Sequence, residues 1–310
     1  DPAAARSPLD LSQYQAVLLD LDGTVYHEDH ALPGAVALIR RLQAEGKPYA
    51  CLTNSTTSAG QLAERLGRMG VAVDTAHIYT AASAACDYVV QRFGGDPGSA
   101  AYIGRATGEG ISGTGGQGAD AGPAAGPGGN PAPAPRRPRV LNLSTEGVEQ
   151  MLDGRVTWVR PGDESPCDAV ICGVPLNPRA TEDRLRAALV HLRRGAELIG
   201  ICADRVYPSP RGIEFGVGAF TAMFAYAANV KPVFCGKPEP LFFHELCRRL
   251  GVRPERCVLV GDNLESDIAG ARGVGMRTIL TLTGVTSQAD ADAAPPHLRP
   301  DAVIESLAEL

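Results

Sequence analysis

The chain lacks an apolar run long enough to cross a bilayer, which excludes a helical membrane span as its mode of action. Its amino-terminal residues lack the apolar core of a signal peptide. It also lacks a positive balance: 29 Lys and Arg stand against 35 Asp and Glu, a net charge of -6. A nucleic-acid surface is therefore not expected, and the one basic cluster, Arg136, Arg137 and Arg139 beside prolines, reads as a solvated linker. Paired cysteines are missing as well. The eight Cys, at 51, 86, 167, 172, 202, 235, 247 and 257, form no CxxC pair, and several sit inside apolar runs such as Tyr49-Ala50-Cys51-Leu52. They read as reduced, small apolar residues of a cytoplasmic protein rather than as bridges or zinc ligands.

What the chain does have is apolar runs that end in polar residues. Ala16-Val17-Leu18-Leu19 shows no alternation and reads as a strand buried on both faces, as in a parallel sheet covered by helices. Asp20-Leu21-Asp22-Gly23-Thr24 follows at its carboxyl end, where open α/β sheets form their sites. Side chains alternate along a strand, so Asp20 and Asp22 share one side while Leu21 packs away. Two carboxylates in one pocket repel unless a cation or a shared proton relieves them, which suggests a metal site with divided labour. An isolated string of this kind would also suit two solvated aspartates in a turn. The residues downstream decide.

At 310 residues, 44% hydrophobic and 21% charged, the chain is an ordinary globular sequence long enough for two lobes. After Pro33-Gly34, Val36, Leu38, Ile39 and Leu42 share a helical face that Gly46 closes. Pro48 to Leu52 reads as a second buried strand, delivering Thr53-Asn54-Ser55. Ser58 and Gln61 stand at capping-box spacing before the stripe Leu62, Leu66 and Met69, so Thr53 and Asn54 lie in a strand-to-helix turn whose free N–H groups suit an anion. A helix from Ala81 to Val90 and a short strand from Ala101 to Ile103 lead to residues 108–138, where Gly, Ala and Pro dominate; this stretch reads as a disordered insertion. Strands at Ala169 to Cys172 and Leu198 to Cys202, with the stripe Leu185, Leu189 and Leu192 between them, read as an inserted lobe. The pattern then predicts a helix around Phe220 to Ala228 and a core strand Val233-Phe234-Cys235 that delivers Gly236-Lys237-Pro238. A helix from Leu241 to Leu250 stops at Gly251, and Cys257 to Val260 delivers Gly261-Asp262 and, five residues on, Asp267. Strands at Thr278 to Leu280 and Ala302 to Ile304 complete an alternating β/α order.

Aspartates, a Thr-Asn turn, a lysine and two further aspartates, each at a strand's carboxyl end, can meet in one crevice. In this order they resemble the haloacid dehalogenase superfamily of aspartate-nucleophile phosphatases, over nearly the whole chain. The chain looks most like the branch containing p-nitrophenyl phosphatase, pyridoxal phosphatase and phosphoglycolate phosphatase, with a large α/β cap between the second and third motifs. The resemblance implies a doubly wound parallel-sheet core at 1–79 and 207–310, with the cap at 80–206. It implies Asp20 as nucleophile, Asp22 as acid and base, and Thr53, Asn54 and Lys237 as phosphate ligands. It also implies Mg2+ held by Asp20, the Asp22 carbonyl and Asp262, with Asp267 in support. Dehalogenases and ion-pumping ATPases lack an acid at the position of Asp22, so its presence favours a phosphatase.

The segment Cys202-Ala203-Asp204-Arg205-Val206-Tyr207 resembles the cap loop that selects substrate, which nominates Asp204 and Tyr207 as substrate contacts at the end of a cap strand. Ala203 replaces a usual polar residue, and Tyr207 stands where a histidine is expected in pyridoxal phosphatase, so that substrate is disfavoured. His27 and His30 read as solvated loop residues, and Glu265 as serving the start of its helix. The expectation is a cytoplasmic, magnesium-dependent phosphatase of small phosphorylated metabolites, without nucleic-acid or membrane partners. Caps of this type often dimerise, so the resemblance implies a possible homodimer through the cap. Arg211 to Phe220 also resembles a sister group that hydrolyses phosphoamino acids or pyrophosphate, which is the alternative activity. The remaining alternative is a binding protein on a phosphatase scaffold, disfavoured because Asp20, Asp22 and Lys237 are all retained.

Overall fold

The computed structural model describes residues 7–94, 136–175, 180–209 and 211–310. The strand expected at 101–103 and nearly all of the insertion expected at 108–138 lie outside these residues. β1 (Ala16–Asp20) opens the chain, followed by the short hairpin β2 (Tyr26–His27) and β3 (His30–Ala31) and by α1 (Ala35–Ala44). Then come β4 (Tyr49–Thr53), α2 (Ala59–Arg68), β5 (Ile78–Thr80) and α3 (Ala81–Phe93). A second run holds β6 (Arg139–Leu143), α4 (Glu146–Met151), β7 (Thr157–Trp158), β8 (Ala169–Cys172), α5 (Glu182–Arg193) and β9 (Glu197–Gly200). The hairpin β10 (Val206–Ser209) and β11 (Gly212–Phe215) follows, then α6 (Val217–Ala228) and β12 (Val233–Phe234). The chain closes through α7 (Pro240–Leu250), β13 (Cys257–Gly261), α8 (Ala269–Gly273), β14 (Arg277–Thr281), α9 (Gln288–Ala293) and β15 (Ala302–Ile304).

The first sheet has the order β15-β14-β13-β1-β4-β5, with every pairing parallel. Its unalternating strands are buried on both faces because helices cover both. Val17 and Leu19 pack with Leu38, Ile39 and Leu42 of α1 and Leu62 and Leu66 of α2, whereas Leu18 and Leu52 face α3 and α7. Each such leucine withdrawn from water contributes roughly 1.5–3 kcal/mol. The capping box is present as the sequence predicts, with Ser58 accepting from the Gln61 N–H at the start of α2. Gly251 ends α7 with φ at 66°, a left-handed conformation that glycine takes without steric cost.

The second sheet, β12-β9-β8-β6-β7, is also parallel. One face packs on α5 and α6. The other joins the first sheet's cluster, where Ile171 and Ile199 share a core with Leu18, Leu52 and the buried face of α3. The expected doubly wound α/β core with an inserted α/β lobe is thus present. One placement differs: β12, expected as a core strand, pairs with β9 at the edge of the second sheet, and α6 packs on that sheet too. The chain returns to the first sheet after Phe234, not at 207. An apolar run of two or three residues shows that a strand is buried but not which sheet it joins.

Candidate active site

β4, β1 and β13 lie side by side and parallel, so their carboxyl ends bring Thr53, Asp20 and Asp262 to one crevice. Asp267 arrives by a single π-turn, Leu264–Ile268, whose start is held by Asn263 accepting from the N–H groups of Glu265 and Ser266 at 2.9 and 3.0 Å. Glu265 is exposed in that first turn, as expected of a residue serving the helix start. Gly261 leaves the room Asp267 needs, since a Cβ there would lie 2.6 Å from its carboxylate. Lys237 enters from the loop after β12, next to the cis peptide bond before Pro238.

The Lys237 Nζ donates to Asp20 Oδ1 at 2.5 Å and to Asp267 Oδ1 at 2.6 Å. Burial opposes its charge, but Asp20 and Asp267 outweigh that and raise its pKa, so the ammonium persists. Asp20 also accepts from the Thr24 hydroxyl at 3.4 Å. Burial pushes the Asp20 carboxyl well up, Lys237 pulls it down, and Asp267 and Asp262 push it up again. Asp262 is raised to about 6, by burial first and by Asp267 second, although the Val285 N–H donates to its Oδ2 at 2.8 Å.

Asp20, Asp262 and Asp267 each offer an oxygen, and these atoms lie within 4.8 Å of one another. Three buried carboxylates and one ammonium leave an excess of negative charge away from water. An all-oxygen donor set with that excess fits a hard divalent cation. The fit is tight around Asp262: a Cβ on Gly284 would lie 1.9 Å, and one on Gly23 2.4 Å, from its Oδ2. Gly23 also has φ at 84°, so glycine is required there twice over. Asp22, unlike Asp20, is exposed, and its backbone bridges to Tyr26.

Residues 17–108 match the family model described as Haloacid dehalogenase-like hydrolase, and residues 234–310 match a second, HAD-hydrolase-like model. An acid sugar phosphatase of Staphylococcus aureus (strain USA300) is 30% identical over 303 residues, 97% of this chain and 99% of that one. The chain belongs to the haloacid dehalogenase-like hydrolases. Among solved structures of such hydrolases, the 4-nitrophenylphosphatase of Thermotoga maritima superposes with a TM-score of 0.75 at 26% identity, covering 96% of this chain and 97% of that one. A glycerol phosphate phosphatase of Mycobacterium tuberculosis in complex with magnesium gives 0.72 at 25% identity, covering 97% of this chain and 78% of that one. The relatives are phosphatases, the branch that Asp22 favours.

In this hydrolase Thr53 is buried, and its Oγ1 accepts the Ser55 N–H at 3.1 Å, which leaves the hydroxyl proton to donate elsewhere. Asn54 turns its side chain to the lysine loop: its Oδ1 accepts the Lys237 N–H at 2.8 Å and its Nδ2 donates to the Lys237 carbonyl at 3.0 Å. Asp204 is joined to this group through Asn54 Nδ2, at 3.3 and 3.4 Å. Tyr207, expected at the end of a cap strand, instead lies on the hairpin strand β10, half-buried and paired with Glu214. His27 and His30 are exposed as expected, but they face each other across the β2–β3 hairpin rather than lying in a loop.

Sequence reasoning passed over Thr24 and the loop after β14, where Thr283 donates to the Gly23 carbonyl at 2.7 Å and Gly284 and Val285 enclose Asp262. The signal was there: Thr283-Gly284 stands at a strand's carboxyl end, next to β13.

Proposed function

We propose that the chain is a magnesium-dependent phosphatase that hydrolyses small-molecule phosphomonoesters through an aspartyl-phosphate on Asp20. The observation that carries this reading is the buried Lys237 Nζ held between Asp20 and Asp267, beside Asp262. One Asp20 oxygen attacks phosphorus while the bond to the leaving oxygen breaks, and the exposed Asp22 gives that oxygen a proton. Asp22 then takes a proton from the water that attacks the acyl-phosphate, releasing phosphate and restoring Asp20. Lys237 has three N–H bonds; with two engaged by Asp20 and Asp267, the third is left for a phosphate oxygen. Thr53 offers its hydroxyl proton, and Asn54 its backbone N–H, to the same group. Asp20, Asp262 and the Asp22 carbonyl, with Asp267 behind them, would hold Mg2+, which supplies the positive charge that lets a phosphate approach carboxylates.

The names of the relatives support a sugar or polyol phosphate as substrate. All eight cysteines are free, which supports action in the reducing cytoplasm, and among the described residues no helix is long and apolar enough to cross a membrane. Beyond the substrate, the partner we infer is a second copy of the chain, seated on the β10–β11 hairpin and α6. The catalytic reading is tested by phosphate release from 4-nitrophenyl phosphate and from sugar and glycerol phosphates, with magnesium and after chelation. Release is expected only with the metal. Equal rates after chelation, or no release from any of these esters, would overturn it.

A further inference from the structure

Asn54 stands where three separate segments meet: the turn after β4, the lysine loop and the loop after β9. One carboxamide pins both backbone polar groups of Lys237, accepting its N–H at 2.8 Å and donating to its carbonyl at 3.0 Å. The Nδ2 has two hydrogens, and its second partner is the Asp204 carboxylate, at 3.3 and 3.4 Å. Asp204 in turn accepts from the Cys202 thiol at 3.3 Å, which fixes the carboxylate on its own loop. The junction has no slack, because a Cβ on Gly236 would lie 2.6 Å from Asn54 Oδ1 and 2.9 Å from the Cβ atoms of Ala81 and Cys202. Thr145 adds a second tie across the lobes by donating to the Thr56 carbonyl at 3.3 Å.

We propose that Asp204 is a positioning residue for Lys237, acting through Asn54 and not through the substrate. This rests on the phosphatase reading. A carboxylate acceptor makes the Asn54 amide bond charge-assisted, and thereby orients the carboxamide that sets the backbone of residue 237. The Lys237 Nζ must stay within hydrogen-bond reach of Asp20 and Asp267 at once, and a misplacement of about 1 Å at a reacting group can cost about 100-fold. The second lobe thus registers on the catalytic lysine through one amide. Because Lys237 serves the phosphoryl group, which every substrate shares, the contribution of Asp204 is independent of the leaving group. A substrate contact would behave in the opposite way.

The test compares the full-length chain with Asp204→Ala, Asp204→Asn, Asn54→Ala and the double variant Asn54→Ala/Asp204→Ala, with 4-nitrophenyl phosphate and glycerol phosphate as substrates. Asp204→Ala should lower kcat about tenfold on both substrates while KM moves less than about twofold. Asp204→Asn should recover most of this, since its side-chain oxygen still accepts from Asn54. In the Asn54→Ala background, removing Asp204 should cost nothing further, the non-additivity expected of residues acting in series. Amide hydrogen exchange at Lys237, read without substrate, should accelerate in Asp204→Ala. Losses that differ between the substrates, additive losses, or unchanged exchange at Lys237 would overturn the assignment. Absence of phosphate release from the unsubstituted chain would instead strike the phosphatase reading, while the exchange measurement would still decide the role of Asp204.

Discussion

At the scale of single residues, the unlike roles proposed for Asp20 and Asp22 match unlike surroundings: one is buried against a lysine, the other exposed. Asp20→Asn should abolish turnover with the fold intact, since an amide cannot form the acyl-phosphate. Asp22→Asn should lose roughly 10²–10⁴-fold, the share usual for a general acid and base. Steady-state rates with 4-nitrophenyl phosphate check both, and near-normal turnover by Asp20→Asn would remove the mechanism. Asp262 supplies a pH test. Its folded pKa of about 6 lies above its unfolded value of about 4, so without metal its contribution to stability is full below about 4 and is lost as pH rises through 6. Magnesium needs the ionised carboxylate, so its stabilisation should follow the opposite course. With the metal at about 100 times its Kd, the melting temperature should rise on the order of 5 °C at pH 7.5 and by much less at pH 5. Equal shifts at the two pH values would remove Asp262 from the metal site. Asp20, Thr53, Asp262 and Asp267 were legible because each follows closely on an apolar strand. The orientation of Asn54 was not, because its partners lie 150 and 183 residues away, and no local pattern encodes such a contact.

At the scale of elements, the long buried strands and capped helices could be read from the sequence because burial on both faces and capping leave local marks. β12 could not be placed, since its apolar residues suit either sheet. The hairpins β2–β3 and β10–β11 escaped notice because runs of two to four residues carry no resolvable period. The second hairpin changes how Tyr207 is seen. In the register Val206↔Phe215, Tyr207↔Glu214, Tyr207 lies on the hairpin face opposite Val206 and Phe215. A leaving-group contact from that face would make Tyr207→Ala lower kcat/KM for the physiological substrate several-fold while leaving 4-nitrophenyl phosphate little changed. Losses of the same size on every ester would instead make Tyr207 a packing residue.

At the scale of the molecule, two parallel sheets joined through α3 leave, among the described residues, a surface whose composition does not suit solvent. On the hairpin, Val206, Ile213 and Phe215 project from a single face, 54%, 81% and 69% exposed. Phe215 meets Phe220 of α6 edge-on at 6.2 Å, and the exposed side of that helix continues the surface through Met223 to Tyr226, which is 92% exposed. A two-stranded ribbon has open edges as well as this apolar face, and both are self-complementary under a two-fold axis. The second copy proposed as partner would satisfy both at once, because each hairpin would cover the other. Sedimentation of the purified chain should therefore show a dimer at micromolar concentration. Ile213→Asp with Tyr226→Asp should yield a monomer that melts within a few degrees of the parent, because neither side chain supports a core. A chain that sediments as a monomer at every concentration, or a double variant that remains dimeric, would show that this face is not the interface.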